Sequence, residues 1–235
     1  MPGTRELLVL SDSGNAGEGL LWAIPHGPFR PIRLALDATA SDDIEGAAWS
    51  GGHLYTLTSS GAVRRFRTDG RGGLERDGDA YAIGQAPYAC SALTDINCGM
   101  NYEGLCLRSS SARCAGYAAS KSRGELFCVV FDHERLRIDT QKPPLVLDVA
   151  RDALSDCTFG AGGGPAKDIL LVTTNLYGGS KTYQVDEATG RLLLLDVAGL
   201  PNNEAIAVDS DGSFYELMDS DSRVSFAYRM TCEGW

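Results

Sequence analysis

Apolar and polar residues alternate in short runs along the chain, and glycine-rich turns separate the runs. The segment His53-Leu54-Tyr55-Thr56-Leu57-Thr58 alternates as a strand with one buried face does. Ser50-Gly51-Gly52 before it and Ser59-Ser60-Gly61 after it are typical hairpin turns. No segment has the longer period of an amphipathic helix. The pattern therefore predicts an all-β chain of antiparallel meanders.

The predicted strands group into units of about 45 residues, the size of one β-propeller blade. The clearest unit runs from Glu45 to Ile83, and further units open at Glu103, Asp156 and Glu204. One more unit precedes Glu45. Because a single blade cannot bury both of its faces, we predict one domain over residues 1–235, a β-propeller of four-stranded antiparallel blades. Five blades fit best, and six is the alternative.

Two interpretations are possible for how the predicted ring closes. The first unit lacks an inner strand, and the tail Cys232-Glu233-Gly234-Trp235 repeats the Glu-Gly pair with an aromatic residue. The tail either supplies that inner strand or is a short segment held by Cys232. The question matters because a ring that does not close leaves exposed strand edges.

A short acidic phrase opens each unit. Its copies are Asp43-Ile44-Glu45-Gly46, Asn101-Tyr102-Glu103-Gly104 and Asn202-Asn203-Glu204-Ala205, with a weaker copy at Ser155-Asp156-Cys157 that has a shorter carboxylate at the same place. The innermost strand of each blade lines the central channel of a propeller. We therefore expect the four acids to form a partial ring of like charges near the axis.

Two roles are open for these acids. Carboxylates that lie close together cannot all stay ionised without a counter-charge, and calcium accepts carboxylate and amide oxygens. Glu45, Glu103 and Glu204 are the better ligand candidates, because Asp or Asn residues flank them; Asn202 is the leading amide candidate. Alternatively, each acid accepts hydrogen bonds from backbone N–H groups of the next blade. Asp156, beside Cys157, is the candidate for that structural role.

The seven cysteines favour disulfides over a metal site. No Cys-x-x-Cys pair occurs and the chain has three histidines, which gives structural zinc poor support. Cys106 and Cys114 flank Ser109-Ser110-Ser111 as if on opposing strands of a hairpin, and Cys90 with Cys98 would close a loop. Disulfides indicate an oxidising compartment. We expect a periplasmic or extracellular protein whose leader has been removed, with a cytoplasmic protein as the alternative.

The net charge of −10 makes nucleic acid an unsuitable partner, because an acidic surface repels phosphate backbones. The longest apolar run, Leu192-Leu193-Leu194-Leu195, is far too short to span a membrane. No Gly-x-Ser-x-Gly nucleophile motif is present. We expect a monomer whose ligand, a small molecule or a protein, is not identified by the sequence.

The chain resembles the SdiA-regulated and phytase-esterase-like β-propeller proteins. The segments that carry the resemblance are Leu8-Val9-Leu10-Ser11-Asp12-Ser13-Gly14-Asn15 with Asp43-Ile44-Glu45-Gly46, then Ser155-Asp156-Cys157-Thr158-Phe159 and Leu171-Val172-Thr173-Thr174-Asn175. These motifs are short and occur in many propellers. The resemblance implies an exported, often calcium-associated propeller.

A second resemblance is to the gluconolactonase (senescence-marker) family. It rests on Leu200-Pro201-Asn202-Asn203-Glu204 followed by Asp211-Gly212-Ser213-Phe214-Tyr215. The resemblance implies a divalent metal in the channel, with Glu45 and Asn202 in the positions of the family's Glu and Asn and Asp219 as the best match for its Asp. Asn203 stands where the family has Gly, and this departure weighs against lactonase activity.

Three functions follow as hypotheses. The first is an exported propeller that binds calcium near its axis and presents a face for a ligand or partner. The second is a metal-dependent hydrolase of lactones or phosphate esters, in which the metal activates water. The third is an interaction scaffold without a metal.

Overall fold

The computed structural model describes thirteen stretches of the chain: residues 6–10, 18–24, 26–34, 43–84, 99–108, 113–121, 124–149, 152–160, 168–175, 179–198, 202–209, 211–218 and 227–231. Within them the chain is all-β, with strands in five antiparallel sheets. The fold class is the predicted one, a β-propeller of five blades. By its contacts the chain divides into two compact units, residues 1–102 and 103–235.

The first unit contains blades 1 and 2. Blade 1 has the strands β1 (Glu6–Leu10), β2 (Glu18–Ala23) and β3 (Phe29–Arg33). Blade 2 has β4 (Ile44–Ser50), β5 (His53–Thr58), β6 (Ala62–Thr68) and β7 (Leu74–Arg76), with β8 (Tyr81–Ala82) also paired to β6. A core cluster of this unit contains Leu21, Ile32, Leu34, Leu54, Phe66 and Leu74.

The second unit contains blades 3, 4 and 5. Blade 3 has β9 (Tyr102–Leu107), β10 (Gly116–Ser120), β11 (Glu125–Asp132) and β12 (Arg135–Ile138), with β13 (Leu145–Val146) also paired to β11. Blade 4 has β14 (Ala153–Phe159), β15 (Leu170–Asn175), β16 (Ser180–Val185) and β17 (Leu192–Ala198). Blade 5 has β18 (Asn203–Val208), β19 (Phe214–Met218) and β20 (Ala227–Met230).

Strand β12 is the element that the sequence pattern did not predict. Its residues Arg-Leu-Arg-Ile form an exposed outer strand that buries mainly Leu136. A tight turn joins it to β11, and His133 in that turn has a left-handed φ of 56°. The apolar stretch at residues 144–149 has the clearer strand pattern, and within it the two-residue strand β13 pairs with the same partner, β11. A short charged edge strand carries too weak a pattern to be recognised.

Two other predictions concern the chain as a whole. The single domain over residues 1–235 stays a prediction. The tail that either supplies an inner strand or is held by Cys232, residues 232–235, lies outside the described residues. The described part of the chain contains no helix that is long and apolar enough to cross a membrane.

Candidate functional site

The residue that leads into each inner strand has an unusual backbone conformation. In the three full copies of the acidic phrase, the residue two positions before the Glu has a left-handed φ: 52° at Asp43, 49° at Asn101 and 57° at Asn202. Asp and Asn adopt this conformation more readily than other residues with a side chain. The recurrence of Asp or Asn at this position therefore has a backbone explanation, independent of any role as a ligand.

In blades 2 and 5 a β-bulge follows this residue and determines the position of the acid. Glu45 is the extra residue of β4, because Ile44 pairs with Thr58 and Gly46 with Leu57. Glu204 is likewise the extra residue of β18, between Asn203 and Ala205.

In blade 4 the extra residue is Ser155, because Leu154 pairs with Thr174 and Asp156 with Thr173. The sequence-based alignment of Asp156 with Glu45 and Glu204 is therefore wrong by one residue. Asp156 occupies the position of Gly46 and Ala205, directly after the bulge. A bulge changes the side-chain alternation by one residue, and a gapless comparison of the phrases does not reveal it.

The carboxylate of Asp156 ties neighbouring inner strands together. Its Oδ1 accepts a hydrogen bond from Cys157 N at 2.7 Å, and its Oδ2 accepts one from Ile206 N of β18 at 3.0 Å. A Cβ added to Gly104 of β9 would lie 2.6 Å from Oδ1 of the same side chain. Asp156 thus has the structural role that the sequence offered as an alternative: it joins blade 4 to blade 5 and packs closely against blade 3.

Burial raises the pKa of Asp156 well above its usual range. The two backbone hydrogen bonds act in the opposite direction, since they favour the ionised form. The charges of Glu204 and Glu103 raise the pKa further. Three inner-strand acids of the second unit therefore interact electrostatically, and one of them favours its protonated form.

The other two acids of this unit are engaged by polar side chains at the ends of the second strands. Glu103, 2% exposed, forms an ion pair with Lys121 in which Nζ lies 2.8 Å from Oε2. Glu204 accepts a short hydrogen bond from the Asn175 amide nitrogen. We call Glu103, Asp156, Glu204, Lys121 and Asn175 the acidic cluster.

Lys121 was not among the predicted site residues. It follows β10 directly, and Asn175 ends β15, so the two residues hold comparable places in their blades. Asn175 is a polar residue that follows the apolar run of a second strand, a position that is recognisable in the sequence. The same rule, applied to blade 3, would have selected Lys121.

The remaining predicted ligands are Glu45, Asn202 and Asp219. Glu45 belongs to the first unit, Asn202 precedes β18 in the second, and Asp219 is among the residues that are not described. Across the described stretches, no three Asp, Glu, His or Cys side chains meet as a group that could hold a metal ion. Three-carboxylate coordination by Glu103, Asp156 and Glu204 therefore does not fit the structure, so a cation in the acidic cluster would have fewer carboxylate ligands.

Two disulfides are present in the second unit: Cys106–Cys157 and Cys114–Cys128, with Cα–Cα distances of 5.5 and 5.4 Å. The predicted pairing of Cys106 with Cys114 is wrong. Arg108 N donates to Ala115 O, which places Cys106 level with Tyr117 and not with Cys114. The predicted pair Cys90 and Cys98 lies outside the described residues.

Comparison with known proteins supports the fold. No family model and no curated protein matches the chain. Among solved structures, the chain is similar to a luciferin-regenerating enzyme, with a TM-score of 0.51 and 12% identity over 98% of this chain and 89% of that one.

Two further structures are more distant. A putative 6-phosphogluconolactonase from Bacteroides uniformis has a TM-score of 0.46 and 14% identity, and a protein from Lactobacillus plantarum has a TM-score of 0.46 and 10% identity. The chain is covered to 92% and 91% in these comparisons but spans only 64% and 61% of the two neighbours.

Proposed function

We propose that the protein is an exported, disulfide-containing β-propeller that binds a divalent cation at the acidic cluster. Calcium is the first candidate for this cation. The observation that carries the proposal is the grouping of Glu103, Asp156 and Glu204, in which burial first, and then the charges of Glu204 and Glu103, raise the pKa of Asp156. Lys121 supplies one positive charge to this set. A bound cation would offset the negative charge that the acids of the cluster still carry.

Within the cluster, Glu204 and Asn175 are the preferred ligands. Glu204 offers carboxylate oxygens, and Asn175, whose amide nitrogen donates to Glu204, would offer its amide oxygen after the amide turns; calcium accepts both kinds of oxygen at flexible geometry. Asp156 is not proposed as a ligand, because both of its oxygens accept backbone hydrogen bonds. Glu103 becomes a ligand only if the cation displaces Lys121. Water would complete the coordination.

The Lys121 ammonium gives this proposal a sharp test, because it competes with a cation for Glu103. In Lys121→Met the competitor is removed, and we expect calcium to raise the melting temperature more than in the wild type. Lys181→Met is the matched control, since Lys181 forms a similar ion pair with Asp152, also with an N–O distance of 2.8 Å. Equal melting temperatures in saturating calcium and in EDTA, for all three proteins, would reject cation binding.

Export rests on the disulfides. Two disulfides in one unit point to an oxidising compartment, as in secreted and periplasmic proteins. We propose a periplasmic or extracellular location on this ground.

A hydrolase of lactones or phosphate esters is the second candidate. Asp156 places a carboxyl group with a raised pKa beside two further acids, and such a difference in protonation suits acid–base chemistry. The names of two structural neighbours, a luciferin-regenerating enzyme and a putative 6-phosphogluconolactonase, suggest small-molecule substrates to test. Lactone hydrolysis that is lost in EDTA and in Glu204→Gln would favour the metal-dependent form of this function. If no lactone or phosphate ester of a test panel is hydrolysed, the hydrolase is rejected and the cation-binding protein is retained.

A further inference from the structure

The two disulfides have opposite electrostatic surroundings. Lys142 Nζ lies 3.5 Å from Cys128 Sγ and 3.7 Å from Cys114 Sγ. The sulfurs of Cys106 and Cys157 instead lie 3.6 and 3.8 Å from the carbonyl oxygen of Tyr117. An ammonium group stabilises a thiolate, whereas the negative end of a carbonyl dipole destabilises one.

The position of Lys142 is fixed by a turn between β12 and β13. Lys142 N donates to Asp139 O at 3.1 Å, and Lys142 Nζ donates to Arg113 O at 2.8 Å. Asp139 Oδ2 lies 3.4 Å from Nζ and partly balances its charge. The side chain is about one-third exposed, so the ammonium lies between solvent and the two sulfurs.

We propose that Cys114–Cys128 is a thiol–disulfide exchange site that reacts with small thiols, and that Lys142 is its positioning and charge-stabilising residue. The proposal does not depend on cation binding or on the acidic cluster. It distinguishes a reactive disulfide from Cys106–Cys157, which joins the inner strands of blades 3 and 4 and has a structural role.

The exchange proceeds in two balanced steps. The thiolate of a small thiol attacks Cys114, the more exposed of the two residues at 8% against 4% for Cys128. A mixed disulfide forms at Cys114, and Cys128 leaves as a thiolate beside the Lys142 ammonium. A second small thiolate attacks the outer sulfur of the mixed disulfide, which releases the oxidised small disulfide and the Cys114 thiolate. Two small thiols are oxidised and one protein disulfide is reduced.

Lys142 accelerates the first step because it stabilises the leaving thiolate. A thiol with a lower pKa is a better leaving group in exchange reactions. Replacing Lys142 by Met removes the charge and keeps much of the side-chain volume. Replacing it by Arg keeps the charge, so Lys142→Arg separates the effect of charge from that of packing.

The test is the rate at which each disulfide opens in excess reduced glutathione. Timed alkylation and peptide mapping by mass spectrometry assign every opened cysteine to its disulfide. We expect Cys114–Cys128 to open at least about tenfold faster than Cys106–Cys157 in the folded protein. Lys142→Met should slow this opening roughly three- to tenfold, and Lys142→Arg should restore most of the rate.

Lys181→Met serves as the control, because Lys181 pairs with Asp152 and not with a disulfide. It should leave both rates unchanged. Circular dichroism of each variant checks that it is folded. If Lys142→Met does not fold, Lys142→Arg keeps the test decisive. Equal opening of the two disulfides, or a Lys142→Met protein with the wild-type rate, would overturn the proposal.

Discussion

Asn202 illustrates at the residue scale how one side chain can suggest two roles. As an amide beside Glu204, it was predicted to be a metal ligand. Its φ of 57°, shared in sign by Asp43 and Asn101, shows that the position also has a backbone requirement. Sequence alone marks where Asp or Asn recurs but does not separate these two causes, because both select the same residue types.

Substitution at Asn202 separates the two roles. Glycine tolerates a left-handed φ, whereas alanine does not, so Asn202→Ala should unfold more easily than Asn202→Gly by about 1–2 kcal/mol. Urea denaturation measures the difference. If Asn202 is also a calcium ligand, both variants lose calcium affinity equally. Equal stability of the two variants would contradict the backbone role.

The pH dependence of stability tests the assignment of Asp156. Since burial raises the pKa of Asp156 in the folded state, the folded protein binds this proton more tightly than the unfolded chain does. The contribution of Asp156 to stability is therefore fully present below the pKa of the unfolded chain, near the ordinary aspartate value of 3.8, and is lost as pH rises toward the folded pKa.

Asp156→Asn removes this titration. Other carboxyls act in the opposite direction: hydrogen bonds hold the pKa of Asp186 and of Asp211 below the usual range. The comparison is therefore between wild type and variant. The unfolding free energy of the wild type should fall, relative to that of Asp156→Asn, as pH rises from 4 toward neutrality. A constant difference across this range in denaturation experiments would contradict the raised pKa.

Within the blades, hydrophobic alternation predicts the order of the strands, but it does not predict the β-bulges. The meander at 45–83 was predicted from its turns and is present as β4 to β8. The bulge at Ser155 shifted the acid of blade 4 by one residue. No residue type requires a bulge at that place, so the register of the inner strand, and with it the role of Asp156, needed the structure.

Gly104 tests the close contact between β9 and β14. Its added Cβ would lie 2.6 Å from Asp156 Oδ1 and 2.9 Å from Asp156 Cα. Because the second contact is to backbone, Gly104→Ala should destabilise the protein by about 1–3 kcal/mol. Blade 5 has Ala205 at the position after its glutamate, so alanine is compatible with the strand conformation itself. Chemical denaturation that finds no loss would place the two strands farther apart.

At the scale of the whole molecule, the all-β class, the five blades and the presence of disulfides were predictable, because repeats, turns and clustered cysteines are local signals. The disulfide partners were not. Cys106 pairs with Cys157, which lies 51 residues away on another blade. Lys121 is likewise brought to Glu103 by strand pairing and not by sequence proximity. Such non-local contacts, which build the acidic cluster, depend on how strands and blades pack.

Calcium titration calorimetry on the chelator-treated wild-type protein measures whether the acidic cluster binds a cation. We expect saturable binding of about one ion, with affinity in the range of extracellular calcium modules, a Kd on the order of 10⁻⁴–10⁻³ M. Glu204→Gln should weaken this binding strongly, and Lys121→Met should strengthen it. If no saturable heat of calcium binding is measured, or if neither substitution changes the calcium affinity, cation binding at the acidic cluster is contradicted.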